Sequence, residues 1–189
     1  MQRIDERKRR EIVNVAARLF ASRPFHQVRL EDVAAAAGIG KGTIYIYFAT
    51  KEDLYGSLLH EQLLELTVRI ERAIAPPGGS AWDALAATVG EIVAFSAQHP
   101  ELFEMLRAGW IPTSERLHEQ RRTLLRLLSG IIRNGIRSGE LADANPTLTA
   151  TFILSAVRGA MLYRTPRTSA SAIARHLLRL IGKGIRKRS

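Results

Sequence analysis

Apolar residues recur at helical spacing along most of the chain, and one segment carries the clearest pattern. The apolar positions that begin at Leu30 fall on one face of a helix, and Gly38 ends that helix. Glycine takes a positive φ without a steric penalty, which permits a sharp turn into a following helix. The pattern therefore predicts two short helices joined by a glycine turn. The apolar positions of the first helix are Leu30, Val33, Ala34 and Ala37.

The second short helix is predicted from about Gly40 to Tyr47, and its side chains divide into two sets. We expect the apolar set to face inward, while a lysine, a hydroxyl and two phenols remain free for other contacts. Such a set suits a groove of DNA. Thr50, with Asp53 three residues later, predicts a capped start for a longer third helix. The inward positions are Ile39, Ile44 and Phe48, and the outward positions are Lys41, Thr43, Tyr45 and Tyr47.

Residues of this segment, and of the helix predicted before it, also occur at the fixed spacing of a known family pattern. They are Ala16, Leu19, Phe20, Asp32, Val33, Ala34, Gly38, Gly42, Thr43, Tyr45, Tyr47, Phe48, Lys51 and Leu54. With them, the stretch from about Ile12 to Leu54 resembles the DNA-binding domain of the TetR family of bacterial transcription regulators. Two positions depart from the family, which usually places Ser or Thr caps where Arg29 and Gly40 stand. Glycine caps more weakly, whereas an arginine can reach a phosphate instead.

The resemblance and the side-chain chemistry together predict the contacts with DNA. We expect Lys41, Gly42 and Thr43 to approach base edges, because lysine can donate to guanine and the threonine methyl can meet thymine. A second group is predicted to bind phosphates and to fix the register of the protein on the duplex. For the two tyrosines, partly buried packing is the alternative. The predicted phosphate contacts are Tyr45, Tyr47, Lys51 and Arg29.

The remainder of the chain is predicted to be helical, which gives an all-α protein of about nine helices. PPGG at residues 76–79 ends the long helix that begins at Thr50, and Asn145 before Pro146 is a good start for a later helix. A short helix is expected around Glu101 to Ala108. The predicted domains are a three-helix helix-turn-helix domain at 1–54 and a larger helical effector-binding and dimerisation domain at 55–189.

The last two helices are the predicted contact between subunits. Small side chains on one face of the penultimate helix permit close approach, and in the TetR family the corresponding helices of two subunits form a four-helix bundle. A homodimer is favoured independently, because a twofold pair reads both halves of a palindrome. A contact within one chain is the alternative. The predicted dimer residues are Ser155, Ala156, Gly159, Ala160, Tyr163, Ile173 and Leu177.

The larger domain is also the predicted location of a small-molecule pocket, which the family typically uses to control DNA affinity. Composition suggests an apolar or amphipathic effector. Placement of the same aromatic residues in an ordinary helical core is the alternative. The predicted ligand contacts are Phe95, His99, Phe103, Arg107, Trp110, His118 and Phe152.

Charge and composition narrow the class of protein. The formal net charge is +10. However, eight Lys/Arg and no acid occur in residues 164–189, at the opposite end of the sequence from the helix-turn-helix. We expect that tail to be a solvated helix face, with an additional DNA contact as the alternative. The chain has no cysteine and five dispersed histidines, so we expect no metal site, no cofactor and no catalytic centre. We find no membrane-spanning stretch and predict a cytoplasmic protein.

These observations predict a ligand-responsive transcriptional regulator, most simply a homodimeric repressor that binds a palindromic operator in double-stranded DNA. Two other classes remain open from the sequence. A ligand-independent architectural DNA binder would show no effector response, and a small-molecule enzyme or carrier would show no preferred DNA sequence.

Overall fold

The computed structural model describes residues 5–74, 78–103 and 115–185. Within these ranges the protein has eight α-helices, two short 3₁₀ helices and no strand, so the all-α prediction is confirmed. The α-helices are α1 (Glu6–Ser22), α2 (Leu30–Ala36), α3 (Lys41–Tyr47), α4 (Lys51–Ile74), α5 (Ala81–Gln98), α6 (Glu115–Ser138), α7 (Pro146–Leu162) and α8 (Ala170–Ile185). The 3₁₀ helices are Phe25–Gln27 and Pro100–Phe103.

Short polar side chains set the start of the helices, as the sequence predicted. Thr50 and Asp53 form a reciprocal pair in front of α4, in which each side chain accepts a bond of 3.1 Å from the other residue's backbone N–H. The Asn145 side chain accepts from the backbone N–H of Leu148 at 3.1 Å, and Ser169 does the same for Ala172. The helices that follow Thr50 and Asn145 therefore begin within one residue of their predicted positions.

The short helix predicted around Glu101 to Ala108 lies mostly outside the described residues. The described part of this segment is a single 3₁₀ turn, Pro100–Phe103, and residues 104–114 lie outside the described chain. Proline has no backbone N–H and fixes its own φ, so Pro100 suits the first residue of such a turn.

The described residues fall into two compact units, and the first lies within Met1–Gln62 and His99–His118. Its core is formed by one face each of α1, α2 and α3 together with the start of α4. Phe20, Phe25 and Tyr55 pack with ring centroids 5.3 to 5.4 Å apart, and Phe20 and Tyr55 are fully or almost fully buried. The Tyr55 hydroxyl donates to the backbone carbonyl of Glu101. This aromatic cluster anchors α4 beneath the helix-turn-helix.

The second unit lies within Leu63–Gln98 and Glu119–Ser189. Its core comes from the apolar faces of α5, α6 and α7, with Leu85, Leu128 and Ile153 among the buried side chains. Helix α4 contributes residues to both units, and in the second unit Arg69 Nε donates to Glu91 of α5 at 3.1 Å. The division into domains at Leu54 and Tyr55 stays a prediction.

Candidate nucleic-acid interface

The turn between α2 and α3 is built around Gly38. Its φ is +64°, so it adopts the left-handed conformation that the sequence predicted. The backbone N–H of Ile39 donates to the Ala34 carbonyl at 3.0 Å, and the N–H of Gly38 donates to the Ala35 carbonyl at 3.1 Å. This pair of bonds is a Schellman motif, which closes the C-terminus of α2 and sets the direction in which the chain leaves it.

Side chains on one face of α3 hold that helix against the first unit. Ile44 is fully buried and Phe48 is 2% exposed, while Ile39 in the preceding turn is half-buried. The guanidinium carbon of Arg9, on α1, lies 5.1 Å from the centre of the Phe48 ring. The helix is therefore fixed in rotation by its buried anchors, which leaves the opposite face free.

The free face of α3 carries the residues predicted to contact DNA. Lys41 has a side chain that is 71% exposed, Gly42 and Tyr45 are exposed, and Thr43 and Tyr47 are half-buried. Ile46 is 53% exposed, although it is apolar. Because Gly42 has no side chain, the backbone of α3 can approach a groove closely at this point. Lys41, Gly42 and Tyr45 are therefore exposed on α3, and the DNA contacts predicted for this set stay predictions.

The two helices that lack the usual caps differ in how their first turns are closed. At α2, the Asp32 carboxylate accepts from the backbone N–H of Arg29 at 2.9 Å, so a residue inside the helix replaces part of the missing cap. The Arg29 side chain is exposed and remains available for a phosphate. At α3, Gly40 provides no side-chain bond, and its carbonyl accepts from the N–H of Thr43 at 2.9 Å and of Ile44 at 3.4 Å.

Glu31, on α2, is the residue of this surface that the sequence did not indicate. One of its carboxylate oxygens, Oε1, lies 3.0 Å from Lys41 Nζ and accepts from the Tyr45 hydroxyl at 3.1 Å. The hydrogen bond from Lys41, ahead of smaller contributions, lowers the pKa of Glu31 from 4.5 to about 2, and the same contact raises the pKa of Lys41. A negative charge therefore stands within the predicted DNA-binding surface. Because the contacts of Glu31 join two different helices, the spacing of residues along the chain does not reveal them.

Lys51 has a contact inside the first unit. Its ammonium donates to the Phe25 carbonyl at 2.7 Å and lies 4.1 Å from the centre of the Phe25 ring. Burial lowers the pKa of Lys51. The predicted phosphate contact of Lys51 stays a prediction, and the structure shows that the same ammonium also ties α4 to the 3₁₀ turn at Phe25.

Two family models match this chain, one in its N-terminal part and one in its C-terminal part. A family model described as bacterial regulatory proteins, tetR family, matches residues 12–58. A second model, described as the tetracyclin repressor-like C-terminal domain, matches residues 78–185, which is more than half of the chain. The chain belongs to the TetR family. It is a transcriptional regulator with an N-terminal helix-turn-helix DNA-binding domain and a helical C-terminal domain, as the sequence predicted.

Individual TetR-family relatives are similar over most of their length. The fatty acid metabolism regulator protein of Bacillus subtilis is 29% identical over 137 residues, which is 70% of each chain. The crystal structure of the transcriptional regulator FadR from Bacillus subtilis in complex with stearoyl-CoA has a TM-score of 0.78 and 25% identity. The match covers 92% of this chain and 97% of that one. AibR, solved with isovaleryl coenzyme A and operator DNA, shares the fold, with a TM-score of 0.72, 18% identity and the same coverage of 92% and 97%.

The residues predicted to contact an effector are distributed over both compact units. Phe95, on α5, is fully buried in the second unit, where the Arg69 guanidinium lies 5.3 Å from its ring centre. Phe152 is 64% exposed on α7, and its predicted effector contact stays a prediction. Periodicity placed it on an apolar face without showing that this face lies outward. Arg107 and Trp110 lie outside the described residues.

The first unit holds the other predicted effector residues, and a polar cluster surrounds one of them. Phe103 is 6% exposed and His118 is half-buried. His99 Nδ1 lies 3.0 Å from Oε1 of Glu101, and Gln62 Nε2 donates to the same oxygen at 2.6 Å. Gln62 and Glu101 are both buried. Sequence reasoning missed this pair because a polar residue on a mostly apolar helix face gives no signal of its partner.

Four of the seven predicted dimer residues, Ala156, Ala160, Ile173 and Leu177, line one groove between α7 and α8. This apolar groove is open and has a volume of about 440 Å³. Tyr163 is 82% exposed, and Leu180, which lines the groove, is 56% exposed. Ser155 and Ala156 are exposed, and Gly159 is half-buried. The groove is lined by Ala156, Ala160, Thr168, Ala172, Ile173, His176, Leu177 and Leu180.

In the part of the chain that the structure describes, no three His, Asp or Glu side chains come together in a way that could hold a metal ion. None of the helices of residues 5–74, 78–103 and 115–185 is both long enough and apolar enough to cross a membrane.

Proposed function

We propose that this TetR-family protein is a ligand-responsive homodimeric repressor, which binds a palindromic operator and is released by an amphipathic, anionic effector of the acyl-coenzyme A class. The α2–α3 surface is the observation that carries the proposal, since it presents an exposed lysine, an exposed glycine and a half-buried threonine on a helix held by buried anchors. We assign the protein no catalytic role, and we place the protein in the cytoplasm with the DNA that it regulates.

Direct recognition of bases is assigned to the first turn of α3. The Lys41 ammonium can donate to the O6 and N7 atoms of guanine, and the Thr43 methyl can meet the thymine methyl group. Arg29, Tyr45, Tyr47 and Lys51 are assigned to phosphates, which set the register without selecting bases. If the dimer contacts about 6 to 10 phosphates, the binding constant falls steeply as salt rises.

A second copy of the chain is assigned to the groove between α7 and α8. The row of small side chains on α7 permits two helices to approach closely, and Phe152, Tyr163 and Leu180 supply the apolar surface that such a contact would bury. A twofold axis through this face would give two copies of α3, which can occupy successive major grooves about one helical turn apart.

The class of effector is inferred from charge as well as from relatives. Arg121, on α6, is half-buried, and burial together with the charge of Arg158 on α7 lowers its pKa. Two cations that repel each other favour an anionic group between them, such as a phosphate of coenzyme A. FadR of Bacillus subtilis, 25% identical, was solved with stearoyl-CoA. An apolar acyl chain would suit the interior of the helical second unit.

The proposed response is a shift between two conformations of the dimer. An effector changes DNA affinity only by its difference in affinity for the two states. Helix α4 supplies residues to both compact units, so it is the element proposed to connect effector binding to the spacing of the two recognition helices.

Selection from a random double-stranded DNA library is the experiment that tests this function. Enrichment of one palindrome is expected, whereas binding with no enriched sequence would refute the proposal and favour an enzyme or carrier. Lys41→Ala should relax base preference at one position in each half-site. If Lys41→Ala weakens binding to all sequences equally, Lys41 is a phosphate contact and its assignment to bases is wrong.

The effector is tested on the enriched palindrome with acyl-CoA thioesters of increasing chain length. We expect these thioesters to release the DNA, and coenzyme A and free fatty acid to act more weakly. Arg121→Gln should weaken the response to the thioester, while Arg126→Gln is the matched control, because Arg126 is exposed and pairs with Glu119 on the same helix. If no thioester releases the DNA, the effector assignment is wrong, and a ligand-independent binder is favoured.

A further inference from the structure

Glu31 is placed where it contacts two side chains of the recognition helix at once. Its Oε1 atom is shared by Lys41 Nζ at 3.0 Å and the Tyr45 hydroxyl at 3.1 Å, although these residues lie 10 and 14 positions further along the chain. The side chains of Lys41 and Tyr45 are therefore linked through one carboxylate oxygen that belongs to a different helix.

The helix that carries Glu31 is well fixed, so its carboxylate has a defined position. Glu31 lies in the first turn of α2, next to Leu30, which is 6% exposed, and two residues before Val33, which is fully buried. The bond from the Arg29 N–H to Asp32 and the Schellman motif at Gly38 close the two ends of α2. Lysine, by contrast, has a long flexible stem. The carboxylate thus restricts an otherwise mobile ammonium.

A carboxylate at this position should weaken DNA binding, because it adds a negative charge to a surface proposed to contact phosphates. Like any carboxylate with a pKa at or below 4.5, it is ionised at neutral pH, and its negative charge opposes the phosphates of the duplex. It also satisfies part of the charge of Lys41, which reduces the attraction of that lysine to any phosphate. An ammonium has three donors, so Lys41 retains donors for the acceptor atoms of a base.

We propose that Glu31 is a specificity-determining positioning residue, which acts by holding Lys41 in the orientation that reads a base and by keeping Lys41 away from phosphates. The proposal rests on the proposed DNA-binding function. In it, the protein gives up general DNA affinity in exchange for discrimination between sequences.

The test is selection from a random library, followed by binding of the enriched palindrome and of non-operator DNA, with the full-length dimer. Glu31→Gln keeps the shape of the side chain and removes its charge. We expect tighter binding to non-operator DNA and a loss of about tenfold in discrimination at the base read by Lys41, within the range of one bidentate base contact. The slope of log K against log salt should steepen by about 0.9 per half-site, as Lys41 becomes free to bind a phosphate.

A double-mutant cycle shows whether Glu31 acts through Lys41. In a Lys41→Ala background, Glu31→Gln should no longer change base preference at that position. Glu52→Gln is the matched control, because Glu52 is an exposed carboxylate of the same unit that lies on α4, so it should alter affinity without altering base preference. Circular dichroism of each variant confirms that it is folded.

Two results would overturn the inference. Glu31→Gln could leave both the discrimination and the salt slope unchanged, or it could change base preference equally with and without Lys41, which would make Glu31 itself a base contact. In both cases the wild-type dimer still selects a palindrome. Failure of the wild type to select one is a different result, which refutes the proposed function.

Discussion

Replacing Gly38 with alanine should destabilise the protein, whereas the same change at Gly42 should stabilise it. Gly38 has a φ of +64°, and a Cβ there would have no atom within 4 Å, so strain and not collision decides the outcome. Left-handed backbone costs about 1–2 kcal/mol for a residue with a Cβ. Alanine also restricts the unfolded chain, which returns about 0.4–1 kcal/mol. The net destabilisation expected for Gly38→Ala is therefore about 1 kcal/mol.

Gly42 is the matched control for that substitution. It lies in α3 without a positive φ, and a Cβ there also has no atom within 4 Å. Alanine is preferred over glycine within a helix by roughly 0.5–1 kcal/mol, so Gly42→Ala should raise the free energy of unfolding. The two variants should then differ by about 1.5 kcal/mol, although each adds the same methyl group to a neighbouring part of one motif.

Thermal unfolding followed by far-ultraviolet circular dichroism measures this difference. For a chain of this size, 1 kcal/mol changes Tm by about 2–4 °C, so the two variants should be separated by about 3–6 °C. All samples are compared at one protein concentration, because the Tm of a dimer depends on it. If both variants shift Tm in the same direction by similar amounts, backbone conformation at Gly38 does not control stability and the reasoning is wrong.

Three other substitutions test the structure. Glu31, titrated by NMR, should have a pKa of about 2 that returns toward 4.5 in Lys41→Ala; its contribution to stability is present above about pH 4.5 and is lost as pH falls toward 2. An unchanged pKa in that variant would exclude the contact. Gly135→Ala should lower the free energy of unfolding by about 1–3 kcal/mol, because its Cβ would meet neighbouring side chains at 2.5 to 2.9 Å, whereas Gly90→Ala has open space and should not. Equal effects at the two glycines would contradict the packing. Gly40→Ser should stabilise α3 by a few tenths of a kcal/mol as a better cap, measured by urea unfolding, and a loss of stability would refute that assignment.

Local chemistry explains why the sequence predicted the helices well. Helix starts depend on a capping side chain within about three residues, as at Thr50 and Asn145, and the end of α2 depends on Gly38. These interactions are complete within one turn of chain. The same holds for the burial of Ile44 and Phe48, which follows from the spacing of apolar residues.

Capping residues and apolar spacing do not predict contacts between helices. Phe152 has the same apolar character as Phe95, but one is 64% exposed and the other is fully buried, because the rotation of α7 and α5 decides which face is covered. Lys51 was predicted to be free for a phosphate, and the folded chain also brings the Phe25 carbonyl to its ammonium.

The sequence by itself determined that this protein is an all-α TetR-family regulator whose recognition helix carries Lys41, Gly42 and Thr43. Only the tertiary structure decided what surrounds these residues, above all the carboxylate of Glu31 beside Lys41. Helix formation is governed by neighbours along the chain, whereas the partner of an exposed lysine is governed by how two helices cross.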